Sequence, residues 1–268
     1  MNNKSSSEIV KTLVQKAKQA QSIFENFNQN QVDEVITAVA WTLCKPSNNK
    51  KISNLAVSET GLGNPEDKIL KNRRKTLGLL RDLKNIKTVG VISEDKEKGI
   101  IEIAKPVGVV AAVTPSTNPA ATPINNIINA LKGRNSIIVS PSPAGSKVFR
   151  DLLILINNEL KKIGAPENLI QTFNCDVTKE LTNELMKNVD LVIVTGSLNN
   201  VREAAKSGTK AIGVGQGNVT SIVDETADLE DAFKKIKMSK TFDNATSCSS
   251  ENNLILIEDI YEKAINLL

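Results

Sequence analysis

From residue 107 onward the chain alternates short apolar runs with helix-period segments, and no other feature narrows its fold as much. Strand-like runs lie at 107–113, 136–140, 169–173, 191–195 and 211–214, and helix-like stretches at 118–131, 146–163, 178–187 and 199–206 lie between them. The runs are continuously apolar, so each strand needs cover on both faces, and the linking helices are placed to give it. The pattern predicts an α/β fold with a doubly wound parallel sheet. In such sheets ligands sit at the carboxyl ends of the strands, so the turns after the runs are where chemistry is expected.

The part before residue 107 reads differently. Ser5 to Ser7 cap a segment in which Ile9, Val10, Leu13, Val14, Ala17 and Ala20 recur at helical spacing, and Val32, Val35, Ile36, Val39 and Leu43 repeat that period. A third helix around 52–60 should stop at Gly61 and Gly63, and a fourth covers 67–83. Val89, Val91 and Ile92, then Ile100, Ile101 and Ile103, flank the charged turn 93–99 and predict a hairpin. Beyond the alternating region come a strand at 221–224, a helix at 229–238, a strand at 253–257 and a terminal helix of about two turns. We divide the chain into amino-terminal helices plus sheet at 1–228 and a second unit beginning at 229–268.

Composition excludes several classes of function. The net charge of +4 comes from 34 basic and 30 acidic residues mixed along the chain, without the basic patch of a nucleic-acid binder, and 3% aromatic content is poor for base stacking. No run approaches the ~20 apolar residues of a membrane span. Three scattered cysteines give neither a disulfide framework nor a zinc cluster and fit a reducing cytoplasm. There is no histidine, so Ser-His and Cys-His pairs and His-ligated metal are ruled out.

Among the strand-end turns, Thr114, Pro115 and Ser116 lead into Asn118 at an expected helix start that leaves backbone N–H groups outward. Asn118 either caps that helix, as ordinary capping preference favours, or reaches into a site. Thr195, Gly196 and Ser197 allow a phosphate to approach the next helix closely, or form an ordinary tight turn. Gly213, Val214 and Gly215 open a glycine-rich segment between two strands, which is not the dinucleotide fingerprint that opens a helix. Cys44 and Cys175 read as small buried hydrophobes, whereas Cys248 lies in a polar loop and is either a reactive thiol or an inert one. Glu251 reads as the cap of a short turn.

The ordered segments KPVGVVAAVTPSTNPAATP (105–123), ALKGRNSIIVSPSP (130–143), VTGS (194–197), AIGVGQGN (211–218) and SKTFDNATSCSSE (239–251) resemble the CoA-acylating branch of the aldehyde dehydrogenase superfamily. The resemblance runs from about Ile9 to the end and implies a Rossmann-like sheet with an incomplete catalytic domain. It implies Cys248 as nucleophile, with the Asn118 amide and the Cys248 backbone N–H as oxyanion donors. It also implies NAD or NADP as cofactor, contacted by Thr114, Pro115 and Ser116. Ser140, Pro141 and Ser142 would lie by the adenosine, Thr195, Gly196 and Ser197 by the pyrophosphate, and Gly213, Val214 and Gly215 nearby.

Hydrolytic relatives carry a glutamate base where this chain has Gly213, or Val214 one place on, so coenzyme A is the expected acyl acceptor and a small aldehyde the substrate. Ser140 and Pro143 replace the Lys and Glu common there, which leaves NAD and NADP both open. Family members continue well past the cysteine, so the chain is expected to be truncated, and to be a homo-oligomer when full length. The competing readings are a hydrolytic dehydrogenase giving free acid, and a noncatalytic nucleotide-binding fragment or scaffold.

Overall fold

A computed structural model of the chain describes residues 5–267. The first four residues of the polar lead-in at 1–7, and Leu268 at the far end of the second unit, lie outside the described residues. Four helices come first: α1 (Ser6–Phe24), α2 (Gln29–Cys44), α3 (Pro46–Thr60) and α4 (Pro65–Leu83). α1 begins on a capping box in which Ser5 accepts from the Glu8 N–H and Glu8 returns to the Ser5 N–H. α3 starts earlier than its apolar period suggests, at Pro46, whose fixed φ suits a first helical position, and ends on Gly61 at φ 65°.

The expected hairpin is formed by β1 (Gly90–Asp95) and β2 (Ile100–Ala104), paired antiparallel. The alternating region then gives β3 (Val109–Thr114), α5 (Ala121–Lys132), β4 (Ser136–Pro141), α6 (Ser146–Lys162), β5 (Ile170–Thr172), α7 (Lys179–Lys187), β6 (Leu191–Thr195), α8 (Leu198–Lys206) and β7 (Ala211–Val214). The five strands form a wholly parallel sheet in the order β5-β4-β3-β6-β7. Every residue of β3 and β4 is buried, as their unbroken apolar character requires.

Two cores share the sheet. On one face Val110, Ala112, Ile137 and Val139 meet α2, α3, α5 and α6 through Leu43, Ile52, Ile124 and Phe149. On the other, Val109, Ala111, Ile138 and Val192 meet α1, α7 and α8 through Val10, Val14, Leu185 and Ala204. α1 contributes Ala20 and Phe24 to the first core and Val10, Val14 and Ala17 to the second, so the amino-terminal helix bridges both layers.

The last part is a small parallel pair, β8 (Val219–Val223) with β9 (Glu251–Leu256), packed on α9 (Leu229–Thr241) and α10 (Tyr261–Ile265) around Val223, Leu229, Phe233 and Ala264. β8, which precedes residue 228, pairs with β9, which follows it. No helix among the described residues is long and apolar enough to cross a membrane.

Candidate active site

The strand order reverses beside β3: the chain runs outward to β4 and β5, then returns to β6 and β7 on the other side. The turns after β3 and β6 therefore part, and a crevice opens at their carboxyl ends. A pocket of about 340 Å³ lies there, lined among others by Thr114, Pro115 and Ser116 after β3, by Ser140, Pro141 and Ser142 after β4, and by Thr195, Gly196 and Ser197 after β6. Nine residues expected from sequence to meet a cofactor thus share one pocket.

Half of their hydroxyls are already committed. The Ser140 and Thr182 hydroxyls bond at 2.9 Å. Ser142 accepts from the Gly145 N–H and caps a single 3-10 turn, Pro143–Gly145. Ser197 caps α8 by accepting from the Asn200 N–H, and the Gly196 N–H donates to the Val214 carbonyl at 3.1 Å. The donors left at the head of α8 are the Leu198 and Asn199 N–H groups, which meet no acceptor among the described residues. The Thr114 hydroxyl is buried without a partner, and Lys179, at the start of α7, is the only charged residue in the lining. A pocket beside the head of α8, with unpaired hydroxyls and one cation in its lining, fits an adenine dinucleotide with its phosphates.

Gly213, Val214 and Gly215 do not line this pocket. They lie on and just after β7, where a Cβ at Gly213 would fall 2.6 Å from Val201 and one at Gly215 3.0 Å from Leu198. Both glycines therefore make room for α8 against its strand, a packing role, and Val214 contributes only its carbonyl to the Gly196 turn. The next glycine bears more directly on the chemistry. A Cβ at Gly217 would stand 2.8 Å from the Cys248 carbonyl oxygen, so this segment closes onto the cysteine loop.

Cys248 is exposed in the loop between the 3-10 turn Phe242–Ala245 and β9. Its backbone N–H meets no acceptor among the described residues. The preceding turn is held in an unfavourable conformation: Asp243, Asn244 and Ala245 have φ of 52°, 53° and 59°, each costing about 1–2 kcal/mol for a residue with a Cβ.

What holds the turn is a buried ion network. The Asp243 carboxylate, fully buried, accepts from Lys68 at 3.2 Å, from Lys71, from the Thr246 hydroxyl at 2.8 Å and from the Asn64 N–H at 3.1 Å. The Asp243 N–H in turn donates to Asp67 at 2.8 Å. Gly63, at φ +74°, leaves the space that the carboxylate fills. Burial pushes the Asp243 pKa up, but hydrogen bonds from Lys71 and Thr246 and the charges of Lys71 and Lys68 outweigh it and leave the pKa lowered. Burial lowers the Lys71 pKa, the bond and charge of Asp243 oppose that shift without reversing it, and the like charges of Lys68 and Lys75 add to it.

Lys68 reaches further, donating to the Thr117 carbonyl at 3.4 Å, and so ties the cysteine loop to the turn that carries Asn118. Asn118 is 5% exposed. It does not cap a helix: α5 begins at Ala121, its N-cap is Ala120, and no side chain caps it. Pro119 disfavours the helical region at the residue before it, which delays the start past the expected position. The Asn118 Oδ1 is buried without a partner, and its amide makes no hydrogen bond among the described residues. A buried, unspent amide is the feature expected of a group kept for a ligand.

Other sequence readings need correction. Cys175 is exposed in the loop after β5 rather than buried, so Cys248 is not the only accessible thiol. Cys44 is partly buried, and burial raises its pKa although Arg73 opposes the shift. Glu251 opens β9 rather than capping a turn, and its Oε2 is buried without a partner. Sequence reasoning missed Lys68, Lys71 and Asp243, and also the α7 residues Lys179, Thr182 and Asn183 that wall the pocket. The one signal for the lysines is that α4 has a polar stripe, with Lys68, Lys71, Asn72 and Thr76 all buried.

Comparison with known proteins places these features in context. Residues 2–268 match the model of the aldehyde dehydrogenase family. A sulfoacetaldehyde dehydrogenase (acylating) of Cupriavidus necator is 53% identical over 97% of this chain and 53% of its own length. An acetylating aldehyde dehydrogenase of Geobacillus thermoglucosidasius superposes with a TM-score of 0.93 at 38% identity, over 98% of this chain and 58% of that one. A propionaldehyde dehydrogenase of Rhodopseudomonas palustris, solved with bound CoA and an acylated cysteine, superposes at 0.85 and 33% identity, over 96% and 58% of the two chains. The chain spans about half the length of the curated relatives it matches.

Proposed function

The chain belongs to the aldehyde dehydrogenase family, and from that premise we propose that the protein oxidises a small aldehyde to an acyl-CoA thioester through a thioester on Cys248. The observation that carries the reading is the exposed Cys248 thiol, on a loop tied through Lys68 to the turn bearing the unspent Asn118 amide. The names of the relatives support the acylating branch. The Cys248 sulfur attacks the aldehyde carbon, and the carbonyl oxygen takes up negative charge. The Asn118 amide and the free Cys248 N–H are the donors assigned to that oxygen. The pocket at the ends of β3, β4 and β6 would hold a nicotinamide dinucleotide, NAD or NADP, which would supply the acceptor for the hydride leaving that carbon. The CoA thiolate then attacks the thioester carbon and Cys248 departs as thiolate.

The position assigned to a water-activating base in hydrolytic relatives holds Gly213 or Val214, so no carboxylate deprotonates water there. An acyl group on Cys248, loaded from an acyl-CoA, is therefore expected to leave for CoA faster than for water by about 10²-fold or more. Following the acyl-enzyme by mass spectrometry with and without CoA measures the ratio. Comparable rates, with free acid as product, would favour a hydrolytic enzyme instead.

Three free cysteines favour a reducing cytoplasm. The hairpin side chains Ile100, Ile101 and Ile103 are each more than half exposed, which supports a homo-oligomer in which a second copy covers them. We assign dinucleotide binding to the part before 228/229 and the nucleophile loop to the part after it, with β8 of the first part completing the small sheet of the second.

A further inference from the structure

The segment from Pro115 to Pro119 carries the Asn118 amide and has little of its own to hold it. It belongs to no helix or strand, and only two hydrogen bonds reach it among the described residues. One is local and long, from the Thr122 N–H to the Asn118 carbonyl at 3.4 Å. The other crosses the fold: Lys68 donates to the Thr117 carbonyl at 3.4 Å while its Nζ lies 3.2 Å from the Asp243 carboxylate. Lys68 is 2% exposed, so water does not compete for its ammonium. Charge balance does not require it, because Lys71 already pairs with Asp243. The missing side chain of Gly63 leaves room for it, since a Cβ there would fall 2.8 Å from the Lys68 Nζ.

We infer that Lys68 is a positioning residue for acyl transfer, fixing the Asn118 amide relative to Cys248. The inference rests on Cys248 being the nucleophile and Asn118 an oxyanion donor, and it adds the side chain that sets one against the other. The Thr117 carbonyl and the Asn118 nitrogen belong to one planar peptide unit, so the oxygen that Lys68 holds is rigidly joined to the Asn118 Cα. Asp243, the other partner of the ammonium, lies five residues before Cys248 in the left-handed turn of the cysteine loop. One ammonium has three donors and here joins the two loops directly. An oxyanion donor works only where it is aimed at the developing charge, and a misplacement of ~1 Å costs about 10²-fold in rate. Lys71 is the contrast within the same network: it meets the same carboxylate but makes no bond to residues 115–119 among the described residues.

The test is a double-mutant cycle on the acylation of Cys248 by a short acyl-CoA. In that step the Cys248 thiolate attacks the thioester carbon, a new carbon–sulfur bond forms and the CoA thiolate leaves, so no oxidant is needed. Lys68→Met should slow acylation by about tenfold or more, and Lys71→Met far less. Because Lys68 acts through Asn118, adding Lys68→Met to Asn118→Ala should slow the step by no more than about threefold beyond Asn118→Ala alone, whereas a merely structural loss would multiply. Alkylation of Cys248 by iodoacetamide builds no oxyanion and should stay within about threefold of the native rate in every variant. Cys44, partly buried, reports in the same experiment whether the chain is folded. If Lys68→Met exposes Cys44, Lys68→Gln, too short to reach both loops, is read in its place. An unchanged acylation rate in the Lys68 variant, equal losses for the Lys68 and Lys71 variants, or a multiplicative double variant would overturn the inference and leave the nucleophile assignment standing. A native chain alkylated at Cys248 but never acylated there would overturn both.

Discussion

Asp243→Ala is expected to cost about 3–5 kcal/mol of folding stability, because it leaves two buried lysines without their shared counter-charge. Lys68 and Lys71 are 2% and 4% exposed, so neither cation can turn to water without opening α4. The partners of the removed carboxylate do not recover: the Asn64 N–H and the Thr246 hydroxyl also lose their acceptor. Lys71→Met should cost much less. With two cations to one carboxylate, removing one leaves a balanced Lys68–Asp243 pair, and burial already disfavours the charged form of Lys71. Urea unfolding of both variants at unchanged slope measures the contrast. Equal losses, or a loss below about 1 kcal/mol for Asp243→Ala, would show that the network does not hold the turn.

The same network has a pH signature. The Asp243 pKa is lowered in the folded chain, so its stabilisation is fully present above the unfolded carboxylate pKa and is lost as pH falls through the folded value.

Asn118→Ala should slow transfer of an acyl group from acyl-CoA to Cys248 by about 10²- to 10³-fold, the effect of removing one oxyanion donor. The fold should hardly notice. Asn118 caps no helix and its buried Oδ1 satisfies nothing, so alanine removes an unpaired polar group instead of a bond. A capping asparagine would behave in the opposite way, losing about 1 kcal/mol of stability with little change in rate. Measuring both quantities on one variant separates the roles. A rate within threefold of the native chain would remove Asn118 from the chemistry.

The parts of this molecule that follow from local physics were legible in the sequence. Continuous apolar runs joined by helices gave the buried strands β3 and β4, Ser5 to Ser7 marked the start of α1, and Gly61 marked the end of α3. The pocket was legible through one rule, that ligands gather at strand carboxyl ends, which brought Thr114, Ser140 and Gly196 to a single site. What stayed hidden depends on contacts distant in sequence. Asp243 lies 172 residues from Lys71, and nothing in a charged helix says which lysine will be buried. Cys175 was misread because an apolar strand precedes it, but the strand ends before it and the chain has already emerged to solvent. Gly213 was legible as a position without a carboxylate, whereas its contact with Val201 required α8 to be in place.

The central claim is that Cys248 carries the acyl group. Incubating the native chain with a short acyl-CoA, followed by proteolysis and mass spectrometry of all three cysteine peptides, tests it most directly. The account predicts one acyl adduct on the Cys248 peptide, absent from Cys44 and Cys175 and removed by added CoA. An adduct on Cys175 instead, or a Cys248 peptide that stays unmodified while the chain remains folded, would contradict it.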